Sequence, residues 1–173
     1  PDSSLARETT APTHKVTAIR TLAFPGPSIK LPPSDSLVMG SWIEITREEG
    51  VFAITRDGQY LPRHHLADLH DYESDFVAIA ERFVGKSSLG IDCSGLGQIS
   101  LDAAGTGCPR DSDMQQDGLG RTLSPAEMRH LKRGDLIFWK GHVAIVRDAD
   151  TIVHANAHHM ATVVENTREA IAR

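Results

Sequence analysis

The pattern of hydrophobic residues changes character near Asp71, and this change limits the folds that are open to the chain. Over the first 70 residues, short β-branched or alternating segments such as Val16–Arg20, Trp42–Thr46 and Val51–Thr55 are separated by connectors rich in proline and glycine. Short strands at this spacing are typical of a small β-barrel. Residues 1–70 are therefore predicted to form a small β-barrel module.

Beyond residue 70 the pattern takes a helical period and then returns to strands. The predicted helices are residues 76–83, residues 93–104 behind an Asp92 cap, and a third that begins at the capping box Ser124–Glu127; the predicted strands are residues 135–139, 142–147 and 151–155. Helices followed by an antiparallel sheet give an α+β domain. We place this domain at residues 71–173.

Composition and charge exclude several classes of function. Hydrophobic residues make up 40% of the chain and charged residues 24%, as in globular proteins. The formal net charge of -5 offers no basic surface for nucleic acid or for an anionic membrane. No segment reaches the roughly 18 consecutive apolar residues of a membrane-spanning helix. We therefore expect no nucleic-acid partner and no membrane insertion, and the sequence makes no prediction about the oligomeric state.

Of the two cysteines, Cys93 carries the stronger chemical signal. It is the first residue of a predicted helix, where the partial positive charge of the helix end stabilises a thiolate. Gly95 and Gly97 follow it, and such small residues let a substrate approach closely. A histidine nearby would complete an activated cysteine nucleophile. The alternative is that Cys93 is simply a small buried hydrophobic residue.

Two histidines lie in the last two predicted strands, and the length of the loop between the strands decides whether they meet. If residues 148–150 form a three-residue loop, His154 lies opposite Ala144, and His142 lies diagonal to His154 on the same face. A loop one residue shorter would place the histidines on opposite faces. With the longer loop, one histidine can act as a base while the other orients its ring.

The same residues leave a metal site open as an alternative. The candidate ligands are Cys93, Cys108, His142, His154, His158 and His159. The two cysteines lack the close C-x-x-C spacing that zinc sites usually show. The sequence therefore favours nucleophilic chemistry without a cofactor.

Three segments of the second domain carry a resemblance to a known family. Gly90–Leu96 (GIDCSGL) resembles the nucleophile motif of the NlpC/P60 family of papain-like cell-wall peptidases. Arg133–Ile145 resembles the second block of that family, and Ile152–Ala155 resembles the third. The module before them resembles the bacterial SH3-like domain that is often fused to such peptidases. The resemblance implies an SH3-like β-barrel at residues 1–70, followed by a papain-like NlpC/P60 domain.

The resemblance also implies roles for individual residues. Cys93 would be the nucleophile, His142 the base and His154 the polar residue that orients it. Asp92 and Ser94 would help to hold the amino group of the substrate, and Asp92 would also cap the helix. The implied reaction is hydrolysis of an amide bond in peptidoglycan stem peptides, between γ-D-glutamate and an L-diamino acid, with no metal or organic cofactor.

Two features depart from the family pattern. Before the nucleophile motif the family usually carries a Pro-Tyr-x-Trp-Gly-Gly segment, whereas here Gly85 is followed directly by residues 86–90, as if a block between Gly85 and Lys86 were missing or deleted. Gly97 stands where the family tends to have a larger apolar residue. The missing segment leaves open a catalytically inactive protein that binds wall peptides. An amidase or acyltransferase on another substrate is a second alternative, because such enzymes share the same nucleophile and base.

The location of the protein in the cell follows only weakly from the sequence. The residues up to Ala11 contain no apolar run like that of a secretory signal. This favours the cytoplasm, where wall peptides are recycled, over a periplasmic or extracellular location.

Overall fold

The protein is described here by a computed structural model that covers residues 11–85 and 90–173. The chain divides into two compact units, Pro1–Asp71 and Tyr72–Arg173. The family departure at residues 86–89 lies outside the described residues.

The described part of the first unit consists of short antiparallel strands. They are β1 (His14–Val16), β2 (Arg20–Ala23), β3 (Asp35–Val38), β4 (Trp42–Ile43), β5 (Ile45–Glu49), β6 (Phe52–Thr55), β7 (Tyr60–Pro62) and β8 (Leu66–Asp68). The strands pair in three separate sheets, in the orders β4-β1-β8, β2-β3 and β5-β6-β7. Val16, Phe52, Ile54 and Leu61 form part of the buried core of this unit.

The predicted closed barrel is not formed by the described strands, and an SH3-like domain is not confirmed. The strands are two to five residues long, and a single isolated bridge, Phe24 to Tyr60, joins the β2-β3 sheet to the β5-β6-β7 sheet. A bulge between Ile45 and Arg47 also interrupts the pairing of β5 with β6. Such short and interrupted strands do not provide the continuous hydrogen-bond ladder that closure requires.

The second unit has the α+β composition that the sequence predicts. Its described elements are α1 (Phe76–Glu81), α2 (Cys93–Ala103), α3 (Ser112–Gly118), β9 (Leu136–Trp139), β10 (His142–Val146), β11 (Thr151–Asn156), β12 (Ala161–Asn166) and α4 (Thr167–Ala172). The four strands form one antiparallel sheet in the order β12-β11-β10-β9. Helix α2 packs against α1 and against the two central strands β10 and β11.

Burial explains why these segments fold together. Leu96 of α2 and Val143, Ile145 and Val153 of the sheet are almost completely buried. Ala170 of α4 joins a second cluster of buried residues with Ala144, Val146 and Ile152. Both faces of the central strands therefore carry buried side chains, which fixes the positions of the residues at the strand ends.

One predicted helix is wrong. The capping box at Ser124 forms, since the Ser124 backbone N–H donates to Glu127 Oε2 at 2.9 Å, but only a single 3-10 turn follows, at Glu127–Arg129. The chain leaves helical geometry at His130, where φ is -134° and ψ is 59°, and Gly134 has a φ of 93°. A capping box satisfies the first turn of a helix, but it does not supply the buried apolar face that extends one.

Candidate active site

Asp92 caps α2 and thereby makes Cys93 the first residue of this helix. Asp92 has extended backbone geometry, and its Oδ1 accepts a hydrogen bond from the Gly95 backbone N–H at 2.7 Å. This confirms the predicted helix cap. Cys93 is half-buried and is not part of a disulfide, so its thiol is available for chemistry at the start of the helix that packs against β10.

The second cysteine is a poor nucleophile. Burial, followed by the nearby Asp102 carboxylate, raises the pKa of the Cys108 thiol to about 11. The Cys108 thiol also donates a hydrogen bond to the Pro109 carbonyl at 3.4 Å. Because a thiol must ionise to react, Cys108 stays protonated and inert at neutral pH.

The register of the β10-β11 hairpin is the one that the histidine pairing requires. Ile145 lies opposite Val153, and Val146 lies opposite Ile152, so residues 148–150 form the three-residue loop. The Asp148 carboxylate accepts hydrogen bonds from the backbone N–H groups of Asp150 and Thr151 at 3.0 and 2.9 Å, which holds the loop at this length. The predicted loop is therefore confirmed.

The two histidines consequently meet on one face of the sheet. His142 Nε2 lies 2.8 Å from His154 Nδ1, and His154 is only 3% exposed. The Trp139 ring packs edge-on against His142, with 5.1 Å between the ring centroids. The two-residue turn before His142 ends with Gly141, whose φ of 74° strongly favours glycine. These contacts leave the His142 ring few ways to rotate.

A carboxylate that the sequence analysis did not single out continues this chain of side chains. His154 Nε2 is hydrogen-bonded to Glu165 Oε1, and Arg173 donates to Glu165 Oε2 at 2.6 Å. Glu165 lies opposite Ile152 in the β11-β12 pair, on the same face as His154. The sequence signal for Glu165 is the length of the loop at residues 157–160. This length sets the pairing of β11 with β12, and the pairing determines the face on which Glu165 lies.

Charge states along the chain follow from burial and neighbours. Burial tends to raise the pKa of Glu165, but hydrogen bonds from Arg173 and His154 outweigh it and keep that pKa below its ordinary value. Burial is the largest effect on both histidines, and it lowers the pKa of His142 and of His154 against the opposing effect of Glu165. At neutral pH the carboxylate is therefore charged, and both imidazoles are neutral.

The charged carboxylate fixes the tautomers of both rings. Because Glu165 can only accept, His154 Nε2 carries the proton and donates to it, so His154 Nδ1 is an acceptor. His142 Nε2–H then donates to His154 Nδ1, which leaves the lone pair on His142 Nδ1. The Asn156 amide nitrogen lies 2.8 Å from the same His154 Nε2 and 3.4 Å from Glu165 Oε1, and with Nε2 protonated only the carboxylate can accept from it.

The other two predicted site residues, Asp92 and Ser94, are already engaged by a cation. Arg110 donates to Asp92 Oδ2 at 2.6 Å and to Ser94 Oγ at 2.8 Å. The hydrogen bond from Arg110 is the main reason that the pKa of Asp92 lies below its ordinary value. The sequence gives no signal for this contact, because Arg110 lies 18 residues after Asp92 in a loop without a regular pattern.

A buried glutamine holds the loop that carries Arg110. Gln115, which is only 1% exposed, donates from Nε2 to the Ser94 carbonyl at 2.9 Å and to the Pro109 carbonyl at 2.8 Å. Gly97 makes room for this amide, because a Cβ at Gly97 would lie only 3.3 Å from Gln115 Oε1. The glycine that departs from the family pattern therefore gives the Gln115 amide space that a larger residue would reduce.

The described residues contain neither a metal-binding cluster nor a membrane-spanning helix. In residues 11–85 and 90–173, no group of three or more His, Cys, Asp or Glu side chains is arranged to hold a metal ion. None of the helices in these ranges has the length and apolar character needed to cross a membrane.

Comparison with known proteins agrees with this architecture. The sequence model of the NlpC/P60 family matches residues 82–172. Dipeptidyl-peptidase 6 from Lysinibacillus sphaericus is 27% identical over 132 residues, which is 71% of this chain and 48% of that protein, so the chain spans about half the length of this curated relative. A solved structure of an NlpC/P60 family protein from Bacillus cereus ATCC 10987 has a TM-score of 0.72 and 21% identity, over 95% of this chain and 61% of that one. Because the family model covers more than half of the 173 residues, the chain belongs to the NlpC/P60 family, whose members are cell-wall peptidases.

Proposed function

We propose that the protein is a cysteine peptidase in which Cys93 is the nucleophile and His142 is the base. The observation that carries this proposal is the hydrogen-bonded chain from Glu165 through His154 to His142. Its tautomers place an unprotonated nitrogen, His142 Nδ1, at the end of the chain. The pKa of His142 lies below its ordinary value, so this nitrogen is ready to accept a proton at neutral pH.

The reaction runs through a thioester. His142 Nδ1 takes the thiol proton of Cys93, and the sulfur attacks the carbonyl carbon of the scissile amide. The backbone N–H of Cys93 stabilises the developing oxyanion. When the C–N bond breaks, His142 returns the proton to the leaving amine. Water then attacks the thioester with His142 again as base, and the thiol is regenerated.

His154 and Glu165 are positioning residues in this scheme. As His142 takes up a proton it becomes an imidazolium, and its Nε2–H remains bonded to His154 Nδ1. The negative charge of Glu165 at the far end of His154 stabilises that cation, as a buried carboxylate does in serine triads.

The substrate follows from the family and remains part of the proposal. We assign the scissile bond to γ-D-glutamyl–L-diamino acid in a peptidoglycan stem peptide, with Asp92 and Ser94 beside the nucleophile facing the amino-terminal part of the substrate. An SH3-like module in the first unit is a further proposal that rests on the resemblance; the all-β content of the described strands supports it, although they pair in three separate sheets and not in a closed barrel. The cytoplasmic location stays a prediction.

The proposal is tested by incubating the full chain with L-Ala-γ-D-Glu-diamino acid and identifying the products by mass spectrometry. We expect L-Ala-D-Glu and the free diamino acid. Cys93→Ala should abolish this turnover, while Cys108→Ala should retain it, since Cys108 stays protonated at neutral pH. Binding of the peptide without turnover would instead indicate a wall-peptide-binding protein, and cleavage of another acyl substrate would indicate an amidase or acyltransferase.

A further inference from the structure

Asn156 lies beside the hydrogen bond between His154 and Glu165. It is the last residue of β11, two residues after His154 and therefore on the same face of the strand. Its amide nitrogen lies 3.4 Å from Glu165 Oε1 and 2.8 Å from His154 Nε2. The amide nitrogen and His154 Nε2 are thus two neighbouring donors that converge on one carboxylate oxygen.

The loop between β11 and β12 fixes which end of the Asn156 amide faces the carboxylate. Asn156 Oδ1 accepts a hydrogen bond from the His159 backbone N–H at 2.8 Å. His159 Nδ1 lies 3.1 Å from the same oxygen, and because an amide oxygen can only accept, this nitrogen is the donor. A flipped amide would lose both hydrogen bonds and would turn its oxygen toward Glu165. The fold therefore holds the NH2 group of Asn156 at the carboxylate.

The neutral amide limits the negative charge that faces His154. Among the described residues, Glu165 is the one carboxylate within hydrogen-bond distance of His154, and Arg173 donates to its other oxygen. Positive charge at Arg173 or at His159 also opposes a charge on His154. Burial together with these charges outweighs Glu165, so the pKa of His154 lies below its ordinary value and the ring is neutral at neutral pH.

The charge state of His154 determines where the proton of His142 lies. A doubly protonated His154 would donate from Nδ1 to His142 Nε2, which lies 2.8 Å away. The proton of a neutral His142 would then lie on Nδ1, and the ring could no longer take a proton from Cys93 at this nitrogen. A second carboxylate at His154 would therefore switch off the base.

We propose that Asn156 is a positioning residue that keeps a neutral N–H donor beside Glu165. The charge at this place is then limited to one carboxylate, which leaves His154 neutral and leaves the Nδ1 atom of His142 free to act as the base. This inference rests on the proposed peptidase function and adds a residue that acts on the base through two other side chains.

The test exchanges the Asn156 amide for a carboxylate of the same size. Asn156→Asp can still accept from the His159 backbone N–H, so it keeps the loop contact but replaces the donor with a second negative charge. Asn156→Ala removes the side chain without adding charge. Gln116→Glu makes the same exchange of amide for carboxylate at an exposed position of α3 and is the matched control. The values of kcat and KM for the stem tripeptide are measured with the full chain as a function of pH.

In Asn156→Asp we expect kcat at neutral pH to fall about tenfold with little change in KM, because the second carboxylate favours the charged form of His154. The midpoint of the acidic limb of kcat/KM should move up by about one pH unit, and activity should return above it. Asn156→Ala should lower kcat by about five- to tenfold, because Glu165 loses a donor, but should leave the midpoint within about 0.3 pH unit. Gln116→Glu should match the wild type in both. A midpoint that Asn156→Asp leaves unchanged, or that Asn156→Ala moves equally, would indicate a loop contact alone and overturn the inference.

NMR spectra of the full chain with isotope-labelled histidine report the protonation of His154 without turnover. Its signals are identified by their absence in His154→Gln. At neutral pH the wild type and Gln116→Glu should show one protonated ring nitrogen on His154, whereas Asn156→Asp should show two. If this pattern appears and no variant cleaves the peptide, the peptidase proposal fails while the effect of Asn156 on His154 stands.

A neutral His154 in folded Asn156→Asp would overturn the inference whether or not the protein cleaves the peptide. Far-UV circular dichroism checks the fold of each variant. If Asn156→Asp does not fold, Asn156→Ala decides alone, and a wild-type kcat in that variant would overturn the inference.

Discussion

At the scale of single residues, the chemistry of the site depends on a charge that is not in contact with the reacting atoms. Glu165 is bonded to His154 and not to His142, yet its negative charge sets which nitrogen of each ring carries a proton. Without it, the two neutral imidazoles could exchange donor and acceptor roles, and His142 Nδ1 could be protonated and useless as a base.

Glu165→Gln tests this dependence. The amide keeps the size of the side chain but loses the charge and can itself donate to His154 Nε2, so the tautomers are no longer fixed. We expect kcat/KM for the stem tripeptide to fall about 10- to 100-fold with little change in KM. Glu169→Gln, at an exposed position of α4, is the control and should leave kcat/KM unaltered. Full activity of Glu165→Gln would contradict the tautomer assignment.

The pH dependence of activity reports the charge state of His142. Burial lowers the pKa of His142 below its ordinary value of 6.5, and only the neutral ring can accept the thiol proton. Activity should therefore be lost as the pH falls, with the midpoint of the acidic limb of kcat/KM below 6.5. In Glu165→Gln the midpoint should move lower still, because the charge of Glu165 raises the pKa of His142. An acidic limb centred above 6.5 would contradict the lowered pKa of His142.

Sequence reasoning found some of these residues and missed others for physical reasons. His142 and His154 could be paired because strand alternation and one loop length fix their relation. The position of Glu165 depends on the register of β12, a strand that the sequence pattern does not predict. Arg110 could not be found at all, because nothing periodic connects an irregular loop to the helix that it contacts.

At the scale of secondary-structure elements, the β10-β11 hairpin decides whether the histidines share a face. The loop of residues 148–150 is held by the Asp148 carboxylate, which also accepts from Thr151 Oγ1 at 2.7 Å. Strand alternation has a period of two, so a change of one residue in this loop reverses the face on which every later side chain lies.

Deletion of Ala149 tests the hairpin register. A two-residue loop would move His154 to the face opposite His142, and we expect kcat/KM to fall about 1000-fold, as when a member of a catalytic triad is removed. Ala149→Gly keeps the loop length and should remain within about threefold of the wild type. Far-UV circular dichroism of both variants checks that the fold persists. A deletion variant that folds and retains activity would contradict the importance of the register.

The connection between α2 and α3 is the second element-scale feature. Gln115 is buried, and its side-chain amide donates hydrogen bonds to two carbonyl groups. Without this side chain, both carbonyl groups would lose a donor. We expect Gln115→Ala to lower the free energy of unfolding by about 1–3 kcal/mol in urea titrations. Gln116→Ala, at the exposed neighbouring position, should change it by less than about 0.5 kcal/mol. Equal effects of the two substitutions would show that Gln115 does not stabilise this loop.

Local signals predicted elements well where burial and capping act together. Helix α2 has both the Asp92 cap and the buried Leu96 and Leu101, and it forms close to its predicted bounds. The capping box at Ser124 has no buried residue in the turn that follows, and it ends after one turn. A cap therefore starts a helix, but the burial of apolar side chains determines how long the helix becomes.

At the scale of the whole molecule, the division between Asp71 and Tyr72 separates a β-rich unit from the unit that contains all the candidate catalytic residues. The motifs of the second unit were sufficient to predict its family, because residue type, order and spacing all agree there. The first unit offered only strand and turn patterns, which do not determine how short strands pair into sheets. Its described strands accordingly form separate sheets where a barrel was predicted.

The most direct test of the account is to identify the residue that carries the acyl group during turnover. The full chain is mixed with the stem tripeptide, quenched in acid after a few milliseconds and digested, and the peptides are weighed by mass spectrometry. We predict that the L-Ala-γ-D-Glu acyl group is found on the peptide that contains Cys93, and that Cys93→Ala forms neither the acyl-enzyme nor the products. Acylation of another residue, or product formation by Cys93→Ala at the rate of the wild type, would contradict the assignment of Cys93 as the nucleophile.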